Sequence, residues 1–199
     1  MAEKNWRRLL EQADKKYTQM QYMDILQLCD RAAICGAEAR YHAGVWRGRA
    51  LIALQDPAGA LSCLDTVADL HKVDPVLDGL RGQALFELGM LPEADAALRS
   101  AIRQDPTQHA SLYLLALIAE LRGRDVQYEH FMREARRYAP AETYPLIKNF
   151  SNEGFRELLE EVSNRLPLSL QQLSENVVLL VAELPSYRDI INSENRISP

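Results

Sequence analysis

Apolar residues recur at helical spacing along most of the chain. Leu85 and Leu88 share one face, and Leu91, Ala94, Leu98 and the pair Ala101–Ile102 share the next. That three-and-four spacing turns one stripe of a helix toward a core. Asp56-Pro57 and Leu91-Pro92 each set a proline in the first turn of a helix, where its missing N–H costs no intrahelical bond. Further on, Ser151 is placed to cap a helix running to about Arg165, with Phe155, Leu158, Leu159, Val162 and Leu166 along one stripe. Beyond it, Val177 to Glu183 reads in two ways. The β-branched apolar run Val177, Val178, Leu179, Leu180, Val181, bounded by Pro185, suits a buried strand. Equally, Ser169 and Gln172 form a capping box, and Leu173, Val177, Leu180, Val181 and Leu184 fall on one helical face. Periodicity alone does not separate the two.

The helical pattern repeats. Gly48 and Gly82, Leu51 and Leu85, Ala60 and Ala94, and Leu64 and Leu98 are each 34 residues apart. The same offset joins Gly89 to Gly123, Ala101 to Ala135 and Pro106 to Pro140. A fixed period of this length marks stacked helical hairpins, each too small to bury its own faces.

This repeat resembles the tetratricopeptide (TPR) family, whose unit is 34 residues of helix, turn and helix. The fullest unit, Pro75 to Gln108, carries Gly82, Leu85, Gly89, Ala94, Leu98, Ala101 and Pro106. Gly82 and Ala94 are expected where the two helices touch, Gly89 as a left-handed cap, and Pro106 as a stop. The unit before it, Tyr41 to Asp74, has Gln55 in place of the cap glycine and Lys72 in place of the proline. The unit after it, His109 to Glu142, has Tyr128 in place of the small alanine, which predicts a splayed second helix. A weaker unit, about Trp6 to Ala39, carries Tyr22, Ile25 and Ala32 at second-helix positions.

The resemblance implies an all-α, right-handed TPR superhelix of three to four helix–turn–helix repeats over 1–142. A C-terminal region, 143–199, would add a capping helix and a possible short β-strand. It also implies a concave groove lined by positions 2, 5, 9 and 12 of each unit. These are His42, Val45, Arg49 and Ile52; Val76, Gly79, Gln83 and Phe86; and Ala110, Tyr113, Leu117 and Glu120. Such a mixed surface suits an extended peptide or a partner helix. Groove arrays that clamp a C-terminal carboxylate use Lys and Asn at several of these positions; Arg49 alone, with no groove asparagine, sets this chain apart from that subtype.

The run from Phe155 through Leu166-Pro167 and Asn176-Val-Val to Pro185-Ser looks like the opening of the bacterial minimal-zincin, or putative metallopeptidase, domain. That resemblance favours a strand at 177–183. A lone strand leaves ladder groups to pair, by self-association as a homodimer, with a partner's strand, or with the rest of a longer domain. The family's zinc site needs His-Glu-x-x-His on one helix. His42, His71, His109 and His130 are all within the repeats and none is so paired, so no metal site or cofactor is expected.

Composition narrows the function classes. Of 199 residues, 47% are hydrophobic and 26% charged, within the range of folded domains. The net charge of −5 argues against nucleic acid, whose phosphates call for a basic face. The N-terminal segment lacks the apolar core of a secretory signal, and Val177 to Ala182 is too short to cross a bilayer. Cys29, Cys35 and Cys63 form no CxxC pair, as expected of buried thiols in a reducing cytoplasm. No glycine-rich phosphate loop or GxSxG elbow is present, and Glu157, Glu160 and Glu161 read as a solvated helix face. The expected function is a non-enzymatic cytoplasmic adaptor that binds another protein. The alternatives are a chaperone for a secreted or unfolded client, and a non-catalytic fragment of a zincin-like protein.

Overall fold

The computed structural model describes residues 2–71, 73–140 and 143–144, and a helical piece at 157, 160–162, 164 and 165. The described residues are helical and contain no strand, and 2–138 form a helical-repeat array. Eight helices follow in chain order: α1 (Ala2–Thr18), α2 (Tyr22–Ala33), α3 (Ala37–Ala53), α4 (Pro57–Ala68), α5 (Pro75–Glu87), α6 (Leu91–Gln104), α7 (His109–Leu121) and α8 (Asp125–Tyr138). A separate compact unit lies within Tyr144–Leu184. The expected strand at Val177–Val181, and any pairing through it, lies outside the described residues.

The helices pack as four hairpins: α1 on α2, α3 on α4, α5 on α6 and α7 on α8. Small residues decide how closely each pair approaches. A Cβ on Gly82 would stand 2.6 Å from Leu98 Cδ2, and one on Gly48 would stand 2.6 Å from Leu64 Cδ2. Ala60 and Ala94 are fully buried beside these contacts. One extra close approach is absent from the repeat pattern: a Cβ on Gly44 would stand 2.6 Å from Val67 Cγ1.

The last hairpin departs from expectation. Tyr128 does not splay α8, which packs on α7 about as closely as α6 packs on α5. Its side chain stays half-buried, whereas Ala60 and Ala94 at the equivalent positions are fully buried. Ala116, fully buried, stands where Gly48 and Gly82 stand, and Met132 (5% exposed) takes the place of Leu64 and Leu98. An unbranched thioether bends round a methyl group that leucine could not accommodate.

All four first helices end in one cap. Met20, Gln55, Gly89 and Gly123 have φ of +58°, +61°, +70° and +64°. Each time the left-handed residue donates three residues back and its successor donates five back, as in Gln55 N to Ile52 O (2.9 Å) and Asp56 N to Leu51 O (2.9 Å). The same pair recurs as Gly89 to Phe86 and Met90 to Leu85, both 2.9 Å. Side chains at Met20 and Gln55 therefore tolerate a conformation in which a Cβ crowds the carbonyl, at about 1 kcal/mol each. Gln55→Gly should raise the urea midpoint, gaining about 0.5–1 kcal/mol after the unfolded-state entropy of glycine is subtracted. No gain, or a loss, would show that the cap is not strained.

Candidate functional site

Short turns make each hairpin antiparallel, so the first helices α1, α3, α5 and α7 run in one direction. They also touch in sequence, α1 to α3, α3 to α5 and α5 to α7, and so build one wall. A groove of about 720 Å³ lies along it. Its lining slants across the helices. α3 contributes its C-terminal half (Arg49, Ile52, Ala53), α5 its whole length from Val76 to Glu87, and α7 its first turns from His109 to Leu114. The turn before α7 closes one side with Asp105, Thr107 and Gln108.

Six of the twelve sequence-predicted groove positions come together here: Arg49, Ile52, Val76, Gly79, Gln83 and Ala110. His42 lies elsewhere. Its ring stacks on Trp6 at 5.3 Å and 12°, lining a second hollow of about 760 Å³ formed by α1 and the N-terminal half of α3. Val45 packs against the core of Tyr41, Leu64, Val67 and Leu77. Phe86 is 4% exposed, so its side chain belongs to the core and offers a partner little surface. Tyr113 and Leu117 are half-buried and Glu120 exposed on α7, outside the groove. In their place the groove takes Leu80 and Leu114, which share a unit position with Trp46 at the 34-residue offset. That apolar recurrence was present in the sequence as a signal.

Charge is arranged unevenly. The Arg49 guanidinium lies 4.9 Å from the Trp46 ring centre and 5.8 Å from that of Tyr17. Both rings attract it through their π faces, and no ion pair among the described residues neutralises it. Burial pushes the Tyr17 phenol up, while Arg49 pulls it the other way. On α5, Gln83 Nε2 donates to Glu87 Oε1 at 3.0 Å. Desolvation still holds the Glu87 carboxyl above its ordinary value, against the pull of that bond. The groove thus has a cation on α3, an amide in its middle and a desolvated carboxyl on α5.

Two of the three thiols offer no nucleophile. Cys29 is 1% exposed, and burial pushes it up to about 12. Cys63 moves the same way for the same reason. Both therefore stay protonated at neutral pH and act as small apolar side chains. Among the described residues no three His, Cys, Asp or Glu side chains gather as a metal site, and no helix is long and apolar enough to cross a membrane.

Residues 47–109 and 80–127 match the family model of the tetratricopeptide repeat, a stretch from α3 into α8 that contains all of the groove lining except Tyr17. No curated protein matches the chain. The minimal-zincin resemblance falls beyond the matched residues, and all but a few of its positions lie outside the described ones.

Proposed function

We propose that this tetratricopeptide array is an adaptor that holds a segment of another protein in the groove of α3, α5 and α7. Such repeats generally mediate contacts between proteins, and the observation that carries the reading is Arg49. A guanidinium oriented by two aromatic rings, in a groove and in no ion pair with a described carboxylate, is prepared for an external acceptor. Leu80 and Leu114, both half-buried, supply apolar surface beside it, and the groove is large enough to bury several side chains.

The test is affinity capture with the wild-type chain and with Arg49→Glu, both checked by thermal melting. Reversing the charge at a half-buried anchor should weaken a groove-bound partner roughly a hundredfold, which removes it from the captured set. Identical partner sets from the two folded proteins would exclude the groove as the docking site.

A further inference from the structure

Glu87 carries its charge in an unfavourable place. It is the last residue of α5 and half-buried, and the last turn of that helix has no basic residue. Carbonyls at a helix C-terminus carry partial negative charge, which favours a cation there and works against a carboxylate. Burial adds to that cost and holds the carboxyl above its ordinary value, in spite of the bond from Gln83. No described cation pairs with it. Packing of the repeat does not call for a charge here either, since the residues 34 places away on each side are Ala53 and Leu121. Gln83 occupies Oε1, so Oε2 is left to accept. The other carboxylate of the groove, Asp105, already takes Thr107 N at 3.0 Å and Thr107 Oγ1 at 2.6 Å.

Arg49 lines the same groove, yet the two opposite charges do not meet. Arg49 and Gln83 are 34 residues apart and so share one unit position on α3 and α5; Glu87 follows Gln83 by one turn. The guanidinium is drawn over Trp46 and over Tyr17 of α1, while Gln83 Nε2 holds the Glu87 carboxylate on α5. Each charge is thus kept by its own internal contact and left open to a ligand. We infer that Glu87 selects the partner by a cationic side chain, lysine or arginine, so that the bound segment presents a base to α5 as well as an acid to Arg49. The inference rests on the groove reading above and adds a charge requirement and the residue that sets it. A segment with acids alone would leave Glu87 further desolvated and unpaired, or place a like charge against it, and is rejected on that ground.

Random peptides displayed on phage and selected on the whole wild-type chain should converge on sequences that hold both an acidic and a basic residue. Selection on Glu87→Gln should keep the acid and lose the base, and selection on Glu87→Lys should put a second acid in its place. Glu87→Gln still offers Gln83 an accepting oxygen and should melt at or slightly above the wild-type temperature. Fluorescence polarisation with one wild-type-selected peptide then reads the coupling. Glu87→Gln, and replacement of the peptide's basic residue by glutamine, should each weaken binding about tenfold, and the two together no more than either alone. The change on the peptide leaves the protein untouched, so that loss cannot come from misfolding. Losses that add, or binding that Arg49→Glu abolishes and Glu87→Gln leaves unchanged, overturn selection by Glu87 and leave the groove reading standing. So does a Glu87→Gln selection that keeps the basic residue. Binding indifferent to Arg49→Glu, or no peptide selected at all, removes the groove reading and this inference together.

Discussion

Leu98→Ala should lower the unfolding free energy by about 3 kcal/mol, and Gly82→Ala should then partly restore it although Gly82→Ala alone destabilises. Leu98 is fully buried, and its Cγ and Cδ2 lie 2.6 Å from where a Cβ on Gly82 would be. Removing the isobutyl group leaves a cavity between α5 and α6 and loosens a hairpin on which both neighbours stack. In the wild-type background the new methyl also comes 3.2 Å from the Leu98 backbone nitrogen, so α5 and α6 must part. That strain of about 1–3 kcal/mol outweighs the gain of about 1 kcal/mol in helix propensity. With alanine at 98 the two side-chain overlaps are gone and only the 3.2 Å approach to the backbone nitrogen remains, so propensity outweighs the residual strain and the same substitution becomes favourable, by up to about 1 kcal/mol. Urea unfolding of the four proteins, followed by circular dichroism, reads the cycle. Equal effects of Gly82→Ala in both backgrounds would mean that the two residues do not set the approach of the helices. The Gly48–Leu64 pair, with distances of 2.6 and 2.7 Å, repeats the experiment within the same chain.

That pair was legible before any coordinates, because contact between hairpin helices demands a small residue at a fixed place and the demand recurs every 34 residues. Gly89 and Gly123 were legible as caps for a related reason, the left-handed backbone. Met20 and Gln55 were not: the turn length and the flanking hydrogen bonds impose the same φ on residues that do not prefer it, and composition carries no trace of that. The groove was legible by position but not by course. Transferring one set of positions to every unit treats the first helices as equivalent, whereas the lining slants from the end of α3 to the start of α7. Arg49, at the α3 end of that slant, and Gln83, in its middle, line the groove; His42, earlier on α3, lies outside it and stacks on Trp6 of α1. Phe86 failed as an anchor because its neighbours enclose it, a property of packing density rather than of its own hydrophobicity.

The second large effect is expected at the junction that sets where α5 begins. Asp74 Oδ1 accepts from Val76 N at 2.7 Å and Leu77 N at 3.2 Å, capping α5, while Oδ2 accepts from the hydroxyl of Tyr41. Tyr41 is 1% exposed, so that hydroxyl has no water to turn to. Asp74→Ala therefore removes a cap and strands a buried donor, and should cost about 3 kcal/mol. Tyr41→Phe, which leaves the cap intact, should cost about 1 kcal/mol. In the Tyr41→Phe background the loss of Asp74 should fall to about 1–2 kcal/mol, the value of the cap alone. Additive losses would show that the phenol and the carboxylate do not act as one unit. The pH dependence gives an independent reading. Burial first, then the hydrogen bond and charge of Asp74, hold the Tyr41 phenol well above its ordinary value of 10.0. Its raised value means that the folded chain keeps this proton after the unfolded chain has released it. Stability from Tyr41 is thus complete below about pH 10 and declines as pH rises beyond it. Tyr41→Phe should lessen that alkaline decline, and the wild-type advantage over it should shrink steadily above about pH 10. Because Val76, Gly79 and Gln83 follow Asp74 on the same helix, a frayed start of α5 should also weaken peptide binding, and Asp74→Asn, which keeps an accepting oxygen for the cap, should restore most of it.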